Sequence, residues 1–217
     1  MTYNRSLCIK LTFIILVFSS ICYAQDKTDY EIYYAVLSNR LKEWKINIDT
    51  VKKIIISNKL TISDNDTGTI NSTIDEILNG NNQDLVFYSR NDFKAFEYLK
   101  NDSVKQLLKE FKIKFNQSVT LEKTGFESKG NIELVNFLDL NKVFKGHYYD
   151  KEWKRFYKKY PNSHGYYQYS KIVKSPEFAV VFLVQRANPL NASGCLVGLR
   201  KKDNIWSVIF NLYLWQS

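Results

Sequence analysis

Apolar residues recur at helical spacing through most of the first 160 positions and at strand spacing afterwards. In "TDYEIYYAVLSNRLKEWK", Tyr30, Tyr33, Tyr34, Leu37, Leu41 and Trp44 share a helical period, and Thr28 followed by Glu31 fits a capping box, so an amphipathic helix is predicted. "DTVKKIIISNKLTIS" is rich in β-branched residues and predicts a strand within 51–62. Residues 64–80 are polar, with Ser72 or Thr73 placed to cap a short helix through Leu78. Farther on, Phe93, Phe96, Leu99, Val104, Leu107, Leu108 and Phe111 follow helical periods that break near Asn101-Asp102, which predicts two helices with a corner between them. "NIELVNFL" reads as a strand and "DLNKVFK" as a short helix.

The segment "DKEWKRFYKKYPNSHG" is the clearest local unit. Trp153, Phe156, Tyr157 and Tyr160 occupy one helical face, while Lys151, Lys154, Arg155, Lys158 and Lys159 occupy the other. Pro161 stops that helix. Four strand-like runs follow, "GYYQYSKIV", "EFAVVFLVQR", "GCLVGLRK" and "NIWSVIFNLYLW", and Asp203-Asn204 suits a tight turn between the last two. Alternation places Trp206, Val208, Phe210, Leu212 and Leu214 on one face of the last run, and Tyr213 and Trp215 on the other, mixed face. The expected fold is α+β, with N-terminal helices packed on a C-terminal four-stranded antiparallel meander and a groove or lighter cover on the second face. A nuclear-transport-factor-like cone is the architectural alternative.

The first two dozen residues change the expected location. Arg5 and Lys10 precede an apolar stretch over 11–18, and small and polar residues lead to Cys22-Tyr23-Ala24, the pattern of a signal peptide cleaved near Ala24. The stretch falls short of the roughly 20 apolar residues that span a bilayer. Ile21 stands where a lipidation signal takes a small residue, which argues against lipidation at Cys22. The expected organisation is therefore a signal peptide over 1–24 and one domain over 25–217, in a secreted or periplasmic protein. Loss of the leader removes Cys8 and Cys22 and leaves Cys195 without an intrachain partner, so the core must supply the stability. It also removes Arg5 and Lys10, which lowers the net charge from +9 to +7. The 15% aromatic content argues for a packed interior. Outside the inner membrane, an excess of cations points to envelope polymers or lipids ahead of nucleic acid.

From about residue 131 to the C-terminus, the chain resembles a group of secreted proteins of Bacteroidetes-type bacteria with no assigned function. The resemblance is carried by "EWKRFYKKYPNSHG" leading into a sheet whose last hairpin is "LRKKDNIWSVIFNLYLWQS". It implies secretion and an α+β fold, and it transfers no catalytic residue. The loop "RANPLNASG" and Asn204 depart from the glycine-rich loop and turn of that pattern.

Candidate chemistry is sparse. His147 and His164 lack a metal-binding spacing, and Asp150 is the nearest carboxylate, so neither metal nor cofactor is expected. Cys195 would need a histidine within reach to act as a nucleophile, and its place in "SGCLVGL" suits a small buried residue. Nucleophile-elbow, phosphate-loop, dinucleotide and zinc-protease motifs are missing from the sequence. Two surfaces stand as candidates. Tyr166, Gln168, Arg186, Tyr213 and Trp215 are expected to line the mixed sheet face and hold a ligand such as a sugar or peptide. The five cations at 151, 154, 155, 158 and 159 are expected to contact an anionic surface. These features point to a non-catalytic binding or interaction module whose partner is an envelope glycan, an anionic lipid or a protein. A small envelope hydrolase and a protein inhibitor or immunity-type partner are the alternatives.

Overall fold

The computed structural model describes residues 26–48, 51–80, 93–127, 129–145 and 149–217. The leader with Cys8 and Cys22, and His147, lie outside the described residues.

The elements run α1 (Lys27–Glu43), β1 (Lys53–Ser57), α2 (Asp64–Asn79), α3 (Phe93–Leu99), α4 (Asp102–Lys114), a 3-10 turn (Lys123–Phe126), β2 (Ile132–Val135), α5 (Phe137–Val143), α6 (Tyr149–Lys159), β3 (Ser163–Tyr169), β4 (Val173–Lys174), β5 (Phe178–Asn188), β6 (Asn191–Lys202) and β7 (Ile205–Gln216). Local chemistry sets the helix starts. Asp26, rather than Thr28, caps α1. Ser63 and Asp66 form a reciprocal capping box on α2, so this helix begins well before Ser72 and carries Ile70, Thr73, Ile74 and Ile77 inward. Asn101 caps α4 at the expected corner, its side chain accepting from the amides of Ser103 and Val104.

The α+β class holds, but the sheet is larger than a four-stranded meander. Seven strands form one mixed sheet in the order β2-β1-β3-β5-β6-β7, with β4 paired to β5. β1 runs parallel to both β2 and β3, while β3-β5, β5-β6 and β6-β7 are antiparallel. Ile54, Ile55 and Ile56 are fully buried, as expected of a strand covered on both faces. β3 and β4 are two parts of one interrupted strand. Between them Ser170 donates its amide to the Phe182 carbonyl at 2.9 Å and accepts the Phe182 amide on its hydroxyl, also at 2.9 Å.

Both faces of the sheet are covered, which corrects the expected open groove and departs from the cone alternative. On one face α1 packs Ile32, Tyr33, Val36, Leu37 and Leu41 against Tyr167, Val181, Leu183 and Val197. On the other, α2, α3 and α4 bury Ile74, Leu99, Leu108 and Phe111 against Val180, Phe182, Leu196 and Leu212. α5 and α6 cover the β1-β2-β3 end, where Trp153, Phe156 and Tyr160 pack with Ile55 and Tyr166.

Strict alternation fails twice in β7. Pairing with β6 shifts between Gly198 and Leu199 and again between Gly194 and Cys195, so Ile209 and Leu214 are extra residues in β7. Each bulge exchanges the faces. Trp206 and Val208 therefore lie under α1, whereas Phe210, Leu212 and Leu214 lie on the opposite face. The Asp203-Asn204 turn forms as expected, with φ of 51° and 62°.

Candidate binding cleft

A concavity of about 1010 Å³ lies between α1, the 3-10 turn and the β6-β7 hairpin. Its apolar part is built from Tyr30, Tyr34, Ala35, Phe126, Trp206 and Val208, with Ile205 at the hairpin end. Helical spacing puts Tyr30 and Tyr34 one turn apart along α1. The Tyr30 hydroxyl accepts the Glu122 amide at 2.9 Å, and its ring meets Phe126 edge-on at 5.0 Å. Gly125 lies against that ring so closely that a Cβ would overlap it. These contacts fix the 3-10 turn to α1 and shape one wall of the cleft. Tyr34 is half-buried, and the Lys129 ammonium stands 4.0 Å from its ring centroid. Around the cleft are Lys27, Lys42 and Lys129 and also Glu31, Glu122 and Glu127, so the charges balance. Ile205 is 67% exposed, an apolar side chain left at the mouth.

Beside this cleft, under α1, lies a buried polar network centred on Arg40, which is 6% exposed. Its Nε donates to Gln185 Oε1 at 2.6 Å on β5, Nη2 to Ser193 Oγ at 2.8 Å on β6, and Nη1 to Glu43 Oε2 at 2.9 Å. Nη1 also contacts the Tyr213 hydroxyl on β7. That hydroxyl donates to Glu43 Oε2 at 2.7 Å, and Asn211 donates to Glu43 Oε1 at 2.6 Å. A planar guanidinium suits this task because its donors point in fixed, divergent directions. The network ties α1 to three strands, and its groups are already occupied by one another.

Cys195 lies in the same buried layer. Burial pushes its thiol up to about 12, against the opposing pull of Arg40. The small Cys195 side chain fills a buried position among apolar neighbours. His164 is exposed. Among the described residues, no group of three or more His, Cys, Asp and Glu is arranged to hold a metal. No described helix is long and apolar enough to cross a membrane.

The five residues expected to share a ligand groove do not form one. Tyr213 points under α1 into the Arg40 network, because the Leu214 bulge separates its face from that of Trp215. Tyr166 is buried against Phe144, Trp153 and Phe156. Gln168 is also buried and donates to the Lys59 carbonyl at 3.1 Å. Arg186 does meet two of the other four: it pairs with Tyr166 across β3-β5, and its guanidinium carbon stands 5.7 Å from the Trp215 indole centroid, but Tyr166 itself is buried. In contrast, Lys151, Lys154, Arg155, Lys158 and Lys159 all lie exposed on the outer face of α6. Arg155 approaches Glu152 at 3.9 Å, and Lys159 stands over the Tyr160 ring at 5.3 Å.

The cleft residues escaped the sequence reading because Tyr30, Tyr34 and Trp206 look like ordinary core positions of their elements. The available signal was the tyrosine pair at i and i+4, which is one more aromatic than the stripe on a single helix face requires. No protein-family model, no curated protein and no solved structure matches the chain.

Proposed function

We propose that the protein is a non-catalytic binding module, and that the cleft between α1, the 3-10 turn and the β6-β7 hairpin takes a short peptide segment. The observation that carries this reading is the cleft itself: about 1010 Å³ with an aromatic wall and a charge-balanced rim. Pockets that bind small ligands typically have volumes of about 300–1,000 Å³ and are largely apolar with a few polar groups. Three lysines and three glutamates around an apolar wall favour a ligand that carries both signs of charge and an apolar side chain. A peptide has that chemistry; a uniformly charged glycan does not. The leader-like segment over 1–24 supports a location outside the inner membrane as part of the same proposal.

The test is a thermal-shift panel on the chain from Gln25 onward, with mixed-charge peptides in one arm and neutral and acidic glycans in the other. A ligand that binds only the folded state stabilises it by about 2.7 kcal/mol at one hundred times its Kd. Peptides are expected to raise the Tm, and Tyr34→Ala is expected to abolish the shift while leaving the Tm of the unliganded protein within a few degrees. Shifts confined to glycans, or shifts that survive Tyr34→Ala, would contradict the proposal. The hydrolase alternative uses the same cleft, since Glu31, Glu122 and Glu127 line it. Breakdown of a bound peptide, lost on Glu→Gln substitution with binding retained, would move the assignment to that class.

A further inference from the structure

We propose that the outer face of α6 and the tip of the β5-β6 hairpin together form a docking surface for an anionic lipid bilayer. Leu190, at that tip, is 84% exposed, the most exposed of the large hydrophobic residues among those described. It is held in that position: its amide donates to Asn188 Oδ1 at 2.9 Å, closing a tight polar turn around Pro189. The tip is tied to α6, because the Tyr157 hydroxyl donates to the Ala187 carbonyl. Lys154 and Lys158, one turn apart on α6, lie together to one side of Tyr157, the residue that anchors the hairpin. Of the two acidic residues of α6, Glu152 is buried and Asp150 lies in the first turn, which leaves the exposed face predominantly cationic.

The combination decides between occupants. A row of cations alone suits any polyanion, and an exposed leucine alone is an ordinary surface residue. A rigid apolar tip beside a cationic face gives both contributions that an anionic bilayer rewards: transfer of an apolar side chain into the acyl boundary and attraction of basic residues to the headgroups. The half-exposed Tyr157, which anchors the hairpin to α6, adds an amphipathic ring to the same surface. This surface is separate from the proposed peptide cleft. β6 leads from the Leu190 tip to the hairpin that closes the cleft, and its 12 residues extend roughly 35 Å at strand spacing. Docking through one end would leave the cleft at the other end open.

The experiment is co-sedimentation with vesicles of phosphatidylcholine alone and of phosphatidylcholine with phosphatidylglycerol in a three-to-one mixture. The chain from Gln25 onward is used; it contains every element described and omits the apolar stretch over 11–18, which would itself partition. Binding is expected with the anionic mixture and not with phosphatidylcholine. Lys154→Gln combined with Lys158→Gln is expected to weaken it roughly 30-fold, each lysine near an anionic surface contributing about a factor of five. Leu190→Ser is expected to weaken it roughly tenfold with the salt dependence retained. Both changes are at exposed positions, and an unchanged Tm shows that the fold is intact. Equal binding to both vesicle types would overturn the proposal. So would an unchanged affinity in Leu190→Ser, or complete competition by dextran sulfate at equal charge, either of which would identify a surface for soluble polyanions instead.

Discussion

Arg40 shows how one side chain can fix the relation between a helix and a sheet. Its donors reach Gln185, Ser193 and Glu43, and it touches Tyr213, so removing it strands polar groups from three strands in a buried layer. Breaking such a network by deleting one member costs more than the network contributes over an apolar replacement, because the remaining groups stay buried without partners. Arg40→Met is expected to lower stability by about 2 to 3 kcal/mol, read as a lower urea midpoint with an unchanged m-value. Glu43→Gln should cost under about 1 kcal/mol, since that carboxylate reaches solvent. A midpoint unchanged in Arg40→Met would mean that the network contributes no net attachment of α1. Little of this was legible in the sequence. An arginine near the end of an amphipathic helix reads as a solvated terminal charge, and only the tertiary arrangement brings Gln185, Ser193 and Tyr213 to it.

At the scale of elements, legibility followed the regularity of the pattern. α6 is largely legible because its apolar and basic residues separate at helical spacing and Pro161 ends it: Trp153, Phe156 and Tyr160 are buried, while Tyr157 of the same expected face is 36% exposed and Glu152 is buried. The apolar pattern understates the length of α2 because its inward residues are interleaved with Asn, Ser and Thr, although Ser63 and Asp66 carry the start signal. β7 misled because the bulged residues, Ile209 and Leu214, are themselves apolar. An extra apolar residue in an apolar run leaves no break in the alternation, yet it turns every later side chain to the opposite face. That displacement dissolved the expected groove and sent Tyr213 to the Arg40 layer. The same geometry favours glycine at position 198 on β6: Gly198 pairs with Phe210, and a Cβ there would overlap the Phe210 ring. Gly198→Ala is expected to destabilise by about 1 to 3 kcal/mol through overpacking, measured by the same urea titration. A neutral result would show that the ring can shift within the α2-α4 layer.

For the molecule as a whole, buried hydroxyl and thiol groups are expected to weaken the fold at alkaline pH. Burial raises the Cys195 thiol from 9.0 to about 12 and raises Tyr167, Tyr169 and Tyr213 above 10.0. Above about pH 9 the unfolded chain releases these protons while the folded chain retains them, so ν for the unfolded state is the smaller and stability falls as pH rises. Their contribution is fully present below the unfolded values and is lost as pH climbs from about 9 to about 12. A urea midpoint that drops between about pH 8 and about pH 10.5 is expected; a flat midpoint would contradict the burial assigned to these groups.

The molecule is organised end to end, with the cleft closed by the β6-β7 hairpin at one end and the cationic face with Leu190 at the other. If the cleft is the binding site, hydrogen-deuterium exchange with and without a peptide that raises the Tm will show it. Protection is expected along α1 where it lines the cleft, in the 3-10 turn and in the β6-β7 turn, with α6 unchanged. Protection on α6 or around Arg186 and Trp215, with none at the cleft, would contradict it.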